Sequence, residues 1–270
     1  MFAKLLKHDI RAVLKYWWIG AVVSVGCAIL GGICCRISFV ENTDYIAISN
    51  AAYQTFLFCS MGIMLLPLFT YIILLIRYQK HFFSDEGYLT FTLPVKKTAL
   101  VDSKLAVSFL FSIVSSCITF LCFMVMNLIA GDYVFGELYT SLFEDVTKYL
   151  GGYTVPYVVL SVLVFCMAEL CYIALIYVCL TISSLMFKKH KILAGLGIYT
   201  AIMWLLYVVV VVIFINFVFG MYDSSVDISS YITTETGLAI LLGITGVLTI
   251  AFGMLYYILT VMLHKKLNLA

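Results

Sequence analysis

The chain has 270 residues, of which 64% are hydrophobic and 11% charged, and its formal net charge is +2. A soluble domain is roughly 45–50% apolar and about 25% charged. No soluble core hides so much apolar surface, which excludes a secreted globular domain, a cytosolic enzyme and a disordered tail. The near-zero net charge gives a nucleic acid no electrostatic footprint.

A membrane-spanning helix needs roughly 20 apolar residues. Charge-poor runs of that kind recur at about residues 17–35, 49–76, 105–130, 153–187, 192–219 and 236–263, the fourth broken only by Glu169. The runs are continuously apolar and lack a two-residue alternation, which argues against a β-barrel. The expected fold is an all-α polytopic membrane protein with six transmembrane helices forming a single domain.

Ahead of the first run, Phe2, Leu5, Leu6, Ile10, Val13, Leu14 and Trp17 recur at helical spacing, and Lys4, Lys7, Arg11 and Lys15 fill much of the other face. This pattern predicts an amphipathic interfacial helix over 1–15, lying in the headgroup plane as an anchor or as a short elbow. The first run has no small-x-small cleavage site after it and reads as a retained span, not a signal peptide. Within it, Gly20, Ser24, Ala28 and Gly32 form a four-residue ladder of small residues, expected to pack against another helix and placed here at a second membrane subunit. Pro67 in the second run frees the Ile63 carbonyl and predicts a kink or hinge.

Residues 77–104 form the one long basic-side loop. Ser84, followed by Asp85 and Glu86, suits a helix start, and Pro94 suits its end. Phe82, Phe83, Tyr88, Leu89, Phe91 and Leu93 give the loop an aromatic and apolar character. They suit either a knob for a protein pocket or anchors at the membrane interface.

The third run carries Ser108, Ser112, Ser115, Ser116 and Thr119, spaced to share one face. They are candidates for a translocation path, or for hydroxyls that bond to their own or a neighbouring helix. In the fourth run Glu169 is the sole deep ionisable group, roughly 20 Å along the helix from Pro156. It reads as a site for a cationic substrate, a conformational latch, or a buried carboxyl satisfied by a Tyr or Ser, with Tyr172 one turn onward as a donor. In the sixth run Ala239, Gly243, Gly246 and Gly253 are expected to serve intramolecular packing.

Fourteen of the sixteen basic residues fall on one side if the six spans alternate strictly, leaving Arg36 and Lys148 on the other. The positive-inside rule then puts both termini in the cytoplasm. The nine cysteines suggest no disulfide framework, and no metal-ligand spacing appears. There is no GxSxG, no HExxH and no Walker-type GxxxxGK[ST]. One membrane carboxylate cannot serve as both acid and base, so the chain is read as no enzyme, and any ATPase must be a separate polypeptide.

Six spans, an amphipathic start, one long first cytoplasmic loop and the segment Asp85-Glu86-Gly87-Tyr88-Leu89-Thr90-Phe91-Thr92-Leu93-Pro94-Val95 together resemble the membrane-spanning permease subunit of bacterial ABC-2 type exporters. The resemblance implies a coupling element over Phe82–Leu93 that rests on the ATPase. It also implies a pair of ABC ATPase subunits holding ATP and Mg, a second membrane subunit, and a bacterial cytoplasmic membrane. It favours a lipophilic or peptide-like exported substrate, with no cofactor in this chain. Members often place two short re-entrant helices before the last span; Gly220–Glu235 is short and polar, so such an element would be truncated or partly drawn from the fifth run. A membrane sensor or scaffold subunit, and a substrate-capture subunit of an uptake transporter, are the alternatives.

Overall fold

A computed structural model describes residues 2–38, 46–83, 97–131, 136–187, 190–223 and 234–267. Every regular element among them is helical: α1 (Phe2–Ser38), α2 (Ile46–Phe83), α3 (Lys97–Ala130), α4 (Gly136–Leu150), a 3-10 turn (Gly151–Tyr153), α5 (Thr154–Met186), α6 (Lys191–Asp223) and α7 (Thr234–Leu267). Among the described residues, six helices are long and apolar enough to cross a membrane. Much of their apolar surface faces outward, including Phe58, Trp204 and Val247. That is the pattern of helices solvated by lipid, in which the backbone satisfies its own hydrogen bonds.

The expected interfacial helix is not a separate element. α1 continues without a break through 37 residues, roughly 55 Å at the usual helical rise. No proline or glycine occurs between Phe2 and Ile19 to end it. α2 likewise runs on to Phe83, seven residues past the apolar run, and passes uninterrupted through Pro67. α4 lies between the third and fourth apolar runs, outside the six expected spans. Leu138, Leu142, Val146 and Tyr149 recur along it at helical spacing between charged positions.

The chain divides into two compact units. The first comprises residues 1–77 and 102–151. One of its cores is Val13 and Trp17 of α1, Leu74 of α2, and Val107 and Phe111 of α3. A second joins Ala28, Ile63, Cys122 and Met126 of the same helices. The small-residue ladder explains how closely they approach. A Cβ at Gly32 would lie 2.8 Å from the Met126 carbonyl oxygen and 2.7 Å from Ile129 Cβ. One at Gly20 would meet Phe69 Cδ1 at 2.8 Å. Ser24 and Ala28 are buried between them. Gly20, Ser24, Ala28 and Gly32 thus serve packing inside the chain, a correction to their assignment to a second subunit. The ladder's periodicity states that a helix comes close, not whose helix it is.

The second unit comprises residues 78–101 and 152–270. α5 packs against both α6 and α7. Its buried residues cluster in its C-terminal half, from Ile173 to Ser183. There Ser183 donates to the Lys191 carbonyl at 2.7 Å, joining the end of α5 to the start of α6. At the other end Tyr157 donates to the Thr234 carbonyl of α7 at 2.8 Å. Gly243, Gly246 and Gly253 have open space where a Cβ would be, and Ala239 is also exposed. Their expected role in intramolecular packing is therefore not found.

Candidate functional site

In the first unit, the ends of three helices meet at one carboxylate. Asp9 of α1 lies on the apolar stripe with Leu6, Val13 and Trp17, where only a partnered charge is tolerated. Its side chain is 1% exposed, and Oδ1 accepts from Arg77 Nη2 at 2.9 Å and Lys104 Nζ at 2.7 Å. Arg77 comes from α2 and Lys104 from α3. Oδ2 and Arg77 Nε are buried with no hydrogen-bond partner among the described residues. A buried pair of this kind adds little net stability, but losing one partner strands the others.

About two turns farther along α1 lies a hydroxyl cluster. Trp17 Nε1 donates to Thr70 Oγ1 at 2.9 Å and to Ser115 Oγ at 3.0 Å. Thr70 gives its own proton to the Leu66 carbonyl at 2.8 Å. Ser115 must then be the donor in the 2.6 Å bond between the two hydroxyls. One turn away Tyr71 bonds Ser112 at 3.0 Å. Trp17 also meets Phe111 edge-on, with centroids 5.5 Å apart.

These contacts answer the question posed by the serine stripe. Ser108, Ser112, Ser115 and Thr119 are buried within their own unit, and Ser116 is half-buried. The Ser112 and Ser115 hydroxyls bond to Tyr71 and Thr70 of α2. The Thr119 hydroxyl is buried with no partner among the described residues. Of the two readings of the stripe, Ser112 and Ser115 fit hydroxyls bonded to a neighbouring helix.

In the second unit, the end of α2 is held as firmly. Tyr78 is 1% exposed and stacks on Tyr177 of α5, with centroids 4.0 Å apart and planes 10° from parallel. Its hydroxyl lies 2.8 Å from Thr181 Oγ1. Thr181 donates to the Tyr177 carbonyl at 2.7 Å, so Tyr78 is the donor to Thr181. Phe82 is buried at 4% exposure, with its ring 5.0 Å from that of Tyr78. Phe82 therefore supports the helix end internally, a correction to its assignment to a displayed knob. Phe83 is half-buried at the last position of α2. Asp85, Glu86, Tyr88, Leu89, Phe91 and Leu93 lie outside the described residues.

The chain matches no family model, no curated protein and no solved structure.

Glu169 is half-buried on α5. Tyr172, one turn on, meets the Tyr199 ring of α6 edge-on at 5.5 Å. Cys171 between them bonds the Leu248 carbonyl of α7 at 3.2 Å. The described residues contain no group of three or more His, Cys, Asp or Glu placed to hold a metal.

Sequence reading missed Asp9, Arg77, Lys104, Trp17 and Thr70 as a connected system. One signal was present. Asp9 is the sole acid of the basic N-terminal segment, and it sits on the apolar face.

Proposed function

We propose that this chain is the permease subunit of an ATP-binding-cassette exporter of the ABC-2 type. It lies in the cytoplasmic membrane of a bacterium with both termini in the cytoplasm. It works with a second membrane subunit and a pair of ATPase subunits that hold ATP and Mg. The exported substrate is lipophilic or peptide-like.

One observation carries this reading beyond the resemblance. The helix ends that flank residues 84–96 are anchored side chain by side chain. Arg77 and Lys104 share Asp9 in one unit, and Tyr78 is stacked and hydrogen-bonded in the other. A coupling element needs stiff attachments, because motion imposed on a loop is lost if its supporting helices yield. Phe83, Tyr88, Leu89, Phe91 and Leu93 are assigned the contact with the ATPase, with Asp85 and Glu86 at its rim and Phe82 beneath it.

Affinity purification in mild detergent tests the proposal. Stoichiometric recovery of an ATPase subunit is expected. Phe83→Ala combined with Tyr88→Ala should remain in the membrane, recover less ATPase and uncouple hydrolysis from transport. Loss of one buried aromatic anchor lowers affinity by roughly thirtyfold. Normal recovery and transport by the double variant would remove the coupling role and make these aromatics interface anchors.

A further inference from the structure

An apolar groove of about 410 Å³ runs between α1 and α3 in the first unit, lined by Val22, Val25 and Ala28 on one side and Leu121, Cys122 and Val125 on the other. Four of these six side chains (Val22, Val25, Leu121 and Val125) are exposed. The groove therefore opens toward whatever surrounds the helices, which is hydrocarbon in a membrane.

What sets it apart is its continuation along α1. Positions 11, 15, 18, 22 and 25 alternate steps of four and three residues, so they share one helix face. That face reads Arg11, Lys15, Trp18, Val22, Val25, and all five are exposed. It presents two cations, then an aromatic residue suited to the interface, then the groove. The Lys15 ammonium lies over the Tyr16 ring, 5.6 Å from its centroid. From Lys15 to Val25 is roughly 15 Å of helix, which equals about half the hydrocarbon thickness of a bilayer. Cation spacing and groove depth thus match one lipid leaflet.

We propose that this face binds one anionic phospholipid, with an acyl chain in the groove between α1 and α3 and the phosphate at Arg11 and Lys15. The charge order selects the headgroup. A zwitterionic lipid brings its own cation to Arg11 and Lys15, whereas an anionic one brings only its phosphate. Lys104 and Arg77 do not compete, because both are engaged by Asp9. The occupant is independent of the exporter reading, since it follows from residues outside the segment proposed to meet an ATPase.

The test uses the full chain in lipid discs containing equal phosphatidylglycerol and phosphatidylcholine, with retained lipid identified by native mass spectrometry. Each juxtamembrane cation contributes about fivefold in favour of an anionic surface, so a preference of up to about thirtyfold for phosphatidylglycerol is expected at low salt. Arg11→Gln with Lys15→Gln should bring the preference close to one. Val25→Trp should fill the groove and expel the lipid, whereas Val23→Trp, on the opposite exposed face of α1, should retain it. Leu121→Trp makes the same intrusion from α3 should Val25→Trp fail to fold. Retained lipid without headgroup preference overturns the proposal. So does equal retention by the Val25 and Val23 variants, which would leave only general attraction to an anionic surface.

Discussion

Asp9 and Lys104 are 95 positions apart in the chain and meet at 2.7 Å, nearly closed to solvent. The pair joins the first turns of α1 to the first turns of α3, and Arg77 adds α2 to the same oxygen. Removing the carboxylate leaves buried Lys104 and half-buried Arg77 without the anion they share. Asp9→Asn is expected to cost about 3–5 kcal/mol, the usual penalty for stranding a buried charge. Lys104→Met should cost less, because Asp9 keeps its bond to Arg77. Adding Lys104→Met to Asp9→Asn should recover part of the loss. Thermal unfolding in detergent, followed by size-exclusion of the survivors, gives all three values. Additive effects would show that the charges do not interact.

The hydroxyl cluster predicts closed chemistry along α3. In a background without native cysteine, Ser112→Cys and Ser115→Cys should resist water-soluble thiol reagents applied from either side. Both positions are at most 2% exposed. Rapid modification of either, in resting or ATP-driven membranes, would restore α3 to the substrate route.

Gly32 sets the separation of α1 and α3. Gly32→Ala forces a methyl group against the Met126 carbonyl, and a backbone atom cannot rotate aside. The expected loss is about 1–3 kcal/mol, typical of overpacking a close contact. Gly246→Ala, where the same methyl meets open space, should be neutral or slightly stabilising through helix propensity. Equal melting temperatures for the two variants would contradict the close approach.

Tyr78 separates stacking from hydrogen bonding. Tyr78→Phe keeps the ring on Tyr177 and loses the bond to Thr181, at a cost of about 1 kcal/mol. Tyr78→Ala empties the site and should cost about 3–5 kcal/mol. If the exporter reading holds, the alanine variant should also hydrolyse ATP with less transport, since the end of α2 loses its support. Unfolding curves paired with transport assays distinguish the two effects.

Some of this architecture is plain in the sequence because hydropathy acts locally. The apolar runs locate all six long helices, and residues 153–187 nearly coincide with α5. Helix ends are less legible. Nothing in residues 77–83 stops a helix, and only tertiary partners for Arg77, Tyr78 and Phe82 reveal that they belong to α2. The site is less legible still. Asp9 is marked by its place on an apolar face, but its partners lie 68 and 95 positions away. Ser112 and Ser115 have a period that fits an aqueous wall and a hydrogen-bonded seam equally well. The choice depended on Trp17, Thr70 and Tyr71, which no spacing rule connects to them.

α5 is fastened near both ends, by Tyr157 at its start and by the buried stretch from Ile173 to Ser183 toward its end. Each fastening fixes the rotational phase of the helix at its own level. A single residue inserted between them would turn one end by about 100° and advance it by about 1.5 Å. Tyr157 and the Ile173–Ser183 face could then not both meet their partners. An insertion of three or four residues nearly restores the phase but lengthens the helix by roughly a turn. The interval from Val158 to Tyr172, which contains Glu169, is therefore constrained in length by its ends, even where its own side chains face outward and accept many apolar substitutions.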